Sequence, residues 1–150
     1  MITTDTLSGC DLFKGISESM LVEIAAISKE VSMKKGEFIF HEGEKANELY
    51  FLLSGSVALR VKLTSRPESI TVSFISMPYQ IFGWSGIVAP YNYTSSAECE
   101  EDSNLLIIPS VPFMKLLEVN PEAGFKVMQH VAEIIADRLR NSHQALLKTI

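Results

Sequence analysis

The chain has 150 residues, of which 47% are hydrophobic and 21% are charged, a composition typical of one ordinary globular domain. Its formal net charge of −5 argues against nucleic-acid backbones and anionic membranes as partners. The apolar runs are too short to cross a bilayer, and the N-terminus lacks the pattern of a secretory signal. Cys10 and Cys99 lie far apart without CxxC spacing, which predicts neither a disulfide framework nor a metal cluster. We therefore expect a cytoplasmic domain.

The first segment, residues 8–29, has the pattern of a helical region. Apolar residues recur at helical spacing from Leu21 to Ile27. Ser17 precedes them as a candidate N-cap, with Met20 at the third helical position.

Residues 31–109 predict short strands separated by turns. Apolar and polar residues alternate from Val57 to Leu63 and again from Ile70 to Phe74, so we expect each strand to bury one face. Ser54-Gly55 marks a tight hairpin between strands. The apolar run from Asn104 to Ile108 predicts a strand buried on both faces. Strands in this number and spacing indicate a β sandwich or jelly roll.

The remaining segment, residues 111–150, predicts a short helix, a break at Asn120-Pro121 and a long helix to the end of the chain. Apolar residues follow the long helix at spacings of three and four. They are Val127, Met128, Val131, Ile134, Ile135, Leu139, Leu146 and Leu147. This stripe is broader than the seam of a two-stranded coiled coil. We expect part of it to pack on the β region and part on a second copy of the chain.

The stretch from Phe38 to Val57 combines a short strand, Gly43, an aromatic strand and the Ser54-Gly55 turn. Together with Leu12-Phe13 and the order of the elements, it resembles the cyclic nucleotide-binding domains of catabolite-activator-like regulators and kinase regulatory subunits. The resemblance implies a single domain over residues 1–150. Its fold would be mainly β with flanking helices: a double-stranded β-helix jelly roll with N-terminal helices and a long C-terminal helix.

In that family the ligand site, here called the cassette, begins with a Phe-Gly-Glu-like triplet. It ends with Arg, a small residue and Ala. In this chain Phe82-Gly83 opens the corresponding segment and Ser96-Ala97 closes it, with Trp84 or Ser85 at the Glu position. The resemblance implies that the ligand-binding residues are Phe82, Gly83, Trp84, Ser85, Gly86, Ile87, Tyr93, Thr94, Ser95, Ser96 and Ala97.

The cassette lacks the charges that hold a cyclic nucleotide in this family. Ser95 or Thr94 occupies the Arg position, and no Lys or Arg occurs between Arg66 and Lys115. Arg60 alternates with the apolar residues of its strand, so we expect it to face water. Truncating a buried charge pair costs about 2–5 kcal/mol, and losing hydrogen bonds to a charged group costs about 1.5–3 kcal/mol. Binding of cyclic AMP in the family's manner is therefore disfavoured by about a thousandfold or more.

Two interpretations of this altered cassette remain open. In the first, aromatic and hydroxyl side chains line a pocket for a neutral or weakly polar aromatic ligand. These side chains are Trp84, Ser85, Tyr91, Tyr93, Thr94, Ser95 and Ser96. In the second, Trp84 or a tyrosine fills the cavity, and the domain acts only by binding a partner protein. A buried Trp84 would favour the second interpretation, and a solvent-lined cavity would favour the first.

Enzymatic and metal-binding classes find little support in the sequence. A cupin-like metal site needs a cluster of His residues and a carboxylate, whereas His41, His130 and His143 are dispersed. Nothing marks Cys99 or His41 as a haem ligand, and no nucleophile motif is evident. We therefore predict a stand-alone, non-enzymatic regulatory or sensory domain without cofactor or metal, which forms a homodimer through its C-terminal helix. A chain cut from a longer regulator would instead be the sensor half of a transcription factor, although this segment itself carries no basic stripe for DNA.

Overall fold

The computed structural model describes residues 2–150, and the chain enters the fold through short helices. Helix α1 (Thr4–Ser8) and helix α2 (Glu18–Ile27) are joined through a 3-10 turn at Asp11–Phe13. The predicted cap of α2 is confirmed, because the Met20 amide donates to Ser17 Oγ at 3.3 Å. The helical entry begins earlier than predicted, at Thr4, and is divided where Gly15 adopts a φ of +80°.

Eight strands follow within the described residues and form two four-stranded antiparallel sheets. They are β1 (Lys29–Met33), β2 (Phe38–Phe40), β3 (Glu48–Ser54), β4 (Val57–Lys62), β5 (Ser69–Ile75), β6 (Ile81–Phe82), β7 (Ser96–Cys99) and β8 (Ser103–Pro109). The first sheet has the order β1-β8-β3-β6, and the second has the order β2-β7-β4-β5. The predicted jelly roll is confirmed. Strand β8 is buried as its apolar run predicts, and Gly55 turns the chain between β3 and β4 with a φ of +101°.

The two sheets enclose one part of the core, and the helices cover the other. Between the sheets lie aromatic and aliphatic side chains of β2, β3, β6 and β8. Helices α1 and α2, together with two C-terminal helices, pack over the outer side of the first sheet around Phe13, Phe51 and Phe113. The rings of Phe13 and Phe113 meet edge to face with centroids 6.0 Å apart. At the β5 edge of the second sheet, a cavity separates the strand from α4.

The expected burial pattern of β4 and β5 is wrong in part. Ala58, expected on the wet face, is fully buried. On β5, Val72 and Phe74 are 53% and 58% exposed although their alternation predicts a buried face. Strand β5 is an edge strand, and both side chains border an open cavity rather than another packed layer. The β4–β5 pairing also shifts register at Val72, which interrupts the alternation, so that Ile75 rather than Phe74 is buried.

Two helices close the chain: α3 (Ser110–Val119) and α4 (Pro121–Thr149), with Pro121 in the first turn of α4. The first half of α4 packs on the domain through Val127 and Val131, which are buried. From Leu139 onward every residue of α4 is exposed. No helix within residues 2–150 combines the length and the apolar character needed to span a membrane.

Candidate ligand-binding site

A cavity of about 450 Å³ opens between the second sheet and α4. It has three walls: the cassette, strands β4 and β5, and the middle of α4. The lining residues are Phe40, Leu59, Val61, Val72, Ser73, Phe74, Gln80, Gly83, Trp84, Ser85, Tyr93, Thr94, Ser95, Arg138, Asn141, Ser142 and Ala145. Apolar walls with several hydroxyl and amide groups are typical of small-molecule sites.

The cassette is held against the core by close backbone packing. Gly83 has a φ of +70°, and a Cβ at this position would lie 2.8 Å from Cδ2 of Tyr50. Gly86 is equally restricted, because a Cβ there would lie 2.4 Å from the Ser110 hydroxyl. Both glycines therefore allow the cassette to approach β3 and the start of α3 closely. This approach fixes the 3-10 turn Trp84–Gly86 beside the cavity.

The residues predicted for the site fall into two groups. Gly83, Trp84, Ser85, Tyr93, Thr94 and Ser95 come together around the cavity. Phe82, Gly86, Ile87 and Ala97 are instead buried in the protein core. Ser96 lies towards the outer surface, where its hydroxyl accepts from the Glu42 amide at 2.9 Å. Tyr91, 43% exposed, does not line the cavity.

The tyrosine of the cassette is part of a packed aromatic cluster. The Tyr93 ring stacks on Phe40 with centroids 3.8 Å apart, and its hydroxyl donates to the Glu48 carbonyl at 2.8 Å. Burial raises the pKa of Tyr93, so the hydroxyl stays neutral and donates. Tyr93 therefore forms one end of the cavity without filling it.

Trp84 is half-buried and leaves the cavity open. The guanidinium carbon of Arg138, on α4, lies 4.4 Å from the centre of its ring system. This distance is within the range of a cation–π contact. A solvent-lined cavity beside Trp84 is the observation that favours the first interpretation of the cassette over the self-filled pocket.

Arg138 is a site residue that the sequence reasoning missed. One of its guanidinium nitrogens, Nη2, donates to the Ile81 carbonyl, and the other, Nη1, is buried without a hydrogen-bond partner among the described residues. Burial lowers the pKa of Arg138 to about 10. Arg138 lies outside the stretch between Arg66 and Lys115 that contains the cassette. Helical spacing is the signal that could have predicted Arg138. Val131, Ile134 and Arg138 follow one another at intervals of three and four, which places all three on the side of α4 that faces the domain.

The cassette itself carries no charge into the cavity. Arg60 lies on the outer face of the second sheet, as expected, where it donates to the hydroxyls of Ser69 at 3.0 Å and Thr71 at 2.9 Å. The cassette helix is only a three-residue turn, and the Gly86 and Ile87 amides donate to carbonyls of the same turn. Few cassette groups therefore remain to hold a phosphate.

The other candidate ligands to metal or haem are placed elsewhere. His41 stacks on Phe38 with ring centroids 4.7 Å apart, and Nδ1 of His130 lies 3.0 Å from the Leu12 carbonyl oxygen. Cys10 and Cys99 are buried free thiols. Within residues 2–150, no three His, Cys, Asp or Glu side chains are grouped as a metal site would require.

Comparison with known proteins places this architecture in a family. The sequence profile of the cyclic nucleotide-binding domain matches residues 30–120. A crystal structure from Geobacter metallireducens GS-15, assigned to the cyclic nucleotide-binding proteins, shares 33% identity. The match covers 93% of this chain and 99% of that chain with a TM-score of 0.77.

Two relatives are longer proteins. The cAMP-activated global transcriptional regulator CRP of Pasteurella multocida is 30% identical over 105 residues, which are 69% of this chain and 47% of that protein. Glutaminase 1 of Bradyrhizobium diazoefficiens is 27% identical over 138 residues, 91% of this chain and 21% of that protein. The chain thus spans between a fifth and a half of these two relatives. Because the profile covers more than half of the chain and the fold agrees, this chain belongs to the cyclic nucleotide-binding domain family.

Proposed function

We propose that this chain is a non-enzymatic sensory domain that binds a small molecule in the cavity between the second sheet and α4. The observation that carries the proposal is the shared wall, since the cassette and α4 line one cavity from different sides. A ligand there would contact both the cassette, which resembles the ligand site of the family, and helix α4.

The contacts of Arg138 supply a route from ligand to helix. They attach α4 to the Ile81 carbonyl and to the face of Trp84, and Trp84 itself lines the cavity. A ligand that displaces either contact changes the free energy with which α4 docks on the domain. Ligand occupancy would therefore shift the position of α4 rather than drive a chemical reaction.

A homodimer through α4 is the second part of the proposal. The exposed stretch of α4 carries Leu139, Leu146 and Leu147, and the last two are 61% and 69% exposed. A helical segment exposed on all sides gains little stability on its own, whereas an apolar stripe can pack against a second copy. A dilution series followed by light scattering should show a dimer that dissociates as the concentration falls. A monomer at every concentration would contradict this part.

The relatives and the thiols support a proposal about where the domain acts. Since one relative is a transcription regulator of which the match covers 47%, we propose that this domain acts as the sensor part of a signalling pathway, on its own or within a longer regulator. Its two free cysteines suit the reducing cytoplasm, where we expect it to act.

Titration calorimetry with cyclic AMP and cyclic GMP, with Trp84 fluorescence recorded in parallel, tests the ligand preference. We expect no saturable binding in the micromolar range, because the cassette offers neither the carboxylate nor the cation of the family's site. Saturable micromolar binding of either nucleotide would contradict this expectation. A thermal-stability screen of small molecules then tests the sensor proposal, which predicts a compound that both stabilises the protein and changes Trp84 emission. Stabilising compounds that all leave Trp84 emission unchanged would contradict it.

A further inference from the structure

We infer that the cavity recognises a small organic anion whose negative group pairs with Arg138 of α4 instead of with the cassette. This inference rests on the proposed function and names the class of its ligand. The anionic group would be a carboxylate or a phosphate monoester, carried on an apolar or aromatic body. A cyclic nucleotide is not such a ligand, because its polar body would need the carboxylate that the cassette lacks.

The charge balance of the cavity wall is the first observation. Within the described residues, Arg138 is the one charged side chain among those lining the cavity, and no carboxylate lines it. The other polar side chains there are the hydroxyls of Ser73, Ser85, Tyr93, Thr94, Ser95 and Ser142 and the amides of Gln80 and Asn141. A cavity with one cation and otherwise neutral walls is complementary to a monoanion.

The state of the guanidinium is the second observation. No carboxylate of residues 2–150 forms an ion pair with Arg138, and its neighbour Asp137 is paired with Arg140. Nη1 is buried and has no hydrogen-bond partner among those residues. A buried cation left unpaired is costly, and an anion that pairs with it recovers much of that cost. A ligand that displaces the Ile81 carbonyl from Nη2 can also take two parallel donors from the guanidinium.

The position of Trp84 decides which space the anion would use. Arg138 also borders a smaller cavity of about 200 Å³, whose wall includes the carboxylates of Asp11 and Asp137. Trp84, over which the guanidinium lies, borders only the larger cavity of the two. Asp11 and Asp137 disfavour an anion in the smaller cavity, and the contact with Trp84 holds the guanidinium at the wall of the larger cavity, so the anion would lie in the larger one.

The remaining walls select the body of the ligand. Phe40, Leu59 and Val61 line the cavity from the second sheet, opposite the helix. They offer apolar contact to a ring, while the cassette hydroxyls accept or donate hydrogen bonds without charge. The cation thus lies on the helix wall and the neutral polar groups on the cassette wall, which reverses the arrangement that the family resemblance implies.

The test compares two anions with a neutral molecule of similar shape: benzoate, phenyl phosphate and benzamide. Binding is measured by thermal stability and Trp84 fluorescence at constant ionic strength, up to about 10 mM because fragments of this size bind weakly. We expect at least one anion to bind at least about tenfold more tightly than benzamide. Arg138→Gln should abolish that preference, and Arg138→Lys should restore part of it. Arg140→Gln, which removes the same charge from the exposed part of the helix, should behave as the unchanged protein.

Three outcomes would overturn the inference. Benzamide binding as tightly as both anions would show a neutral site and leave the proposed sensory function intact. An anion preference that survives in Arg138→Gln, or is lost equally in Arg140→Gln, would assign recognition to another group. Silence of all three probes up to about 10 mM would refute the anion site. Only failure of the separate thermal-stability screen would then refute the sensor proposal. Tighter binding of benzoate would indicate a carboxylate ligand, and tighter binding of phenyl phosphate would indicate a phosphate monoester.

Discussion

The two sides of Gly83 show how one cassette serves both packing and binding. On one side, Phe82 is fully buried with its ring centroid 5.4 Å from that of Tyr50, and Phe40 and Tyr93 complete a closed aromatic cluster. On the other side, Trp84 is only half-buried and lines an open cavity. Phe82 and Trp84, on either side of Gly83, therefore have different roles: one packs in the core and the other lines the cavity.

The difference comes from what faces each ring. The cluster lies between the two sheets, where its four rings are buried, and only Phe40 and Tyr93 among them border the cavity at one end. Trp84 faces α4, which contributes one long polar side chain, Arg138, rather than a packed apolar layer. The site thus opens where the second sheet meets α4, and the aromatic cluster is buried where the two sheets meet.

Truncating a phenylalanine should have a very different effect on the two sides. Phe82→Ala removes a fully buried ring, and we expect the free energy of unfolding to fall by about 3–5 kcal/mol. Phe74→Ala, the matched control on the cavity rim, removes a ring that is 58% exposed and should cost less than about 1 kcal/mol. Denaturant unfolding of both variants measures the difference. Equal losses would mean that the cavity side is packed as tightly as the cluster.

A smaller effect should follow from removing one tyrosine hydroxyl. Tyr93→Phe leaves the Glu48 carbonyl without the hydroxyl that donates to it at 2.8 Å, so we expect a loss of about 1–3 kcal/mol. Tyr91→Phe is the control, because Tyr91 is exposed, and it should change stability by no more than about 0.5 kcal/mol. Thermal unfolding of the two variants gives this comparison. If Tyr93→Phe leaves the stability unchanged, the hydroxyl does not stabilise the aromatic cluster, and its role would lie in the cavity.

Local patterns predicted the fold in most of its parts. The Ser17 cap, the Ser54-Gly55 turn and the helix break before Pro121 depend on short-range chemistry that the sequence displays directly. The exposure of Val72 and Phe74 could not be predicted, because the pairing with β4 shifts register at Val72 and because alternation does not show what faces an edge strand.

The candidate site was predictable only along the cassette. Gly83 and Trp84 were found because they are neighbours in a recognisable segment. Arg138 lies more than fifty residues further along the chain, and only tertiary packing brings α4 to the cassette. The charge of this site therefore depends on a contact that is distant in sequence, and counting charges within the cassette could not reveal it.

The most direct test of an open cavity beside a closed cluster is thiol accessibility in Ser95→Cys. Position 95 lines the cavity, while Cys10 and Cys99 are buried and serve as internal references. Burial raises the pKa of the Cys10 thiol to about 12 and also raises that of Cys99, so both are poor in reactive thiolate at neutral pH. With methyl methanethiosulfonate and peptide mass spectrometry, we predict rapid modification at position 95 and protection of both native thiols until unfolding. Protection of position 95 equal to that of Cys99 would contradict an open cavity.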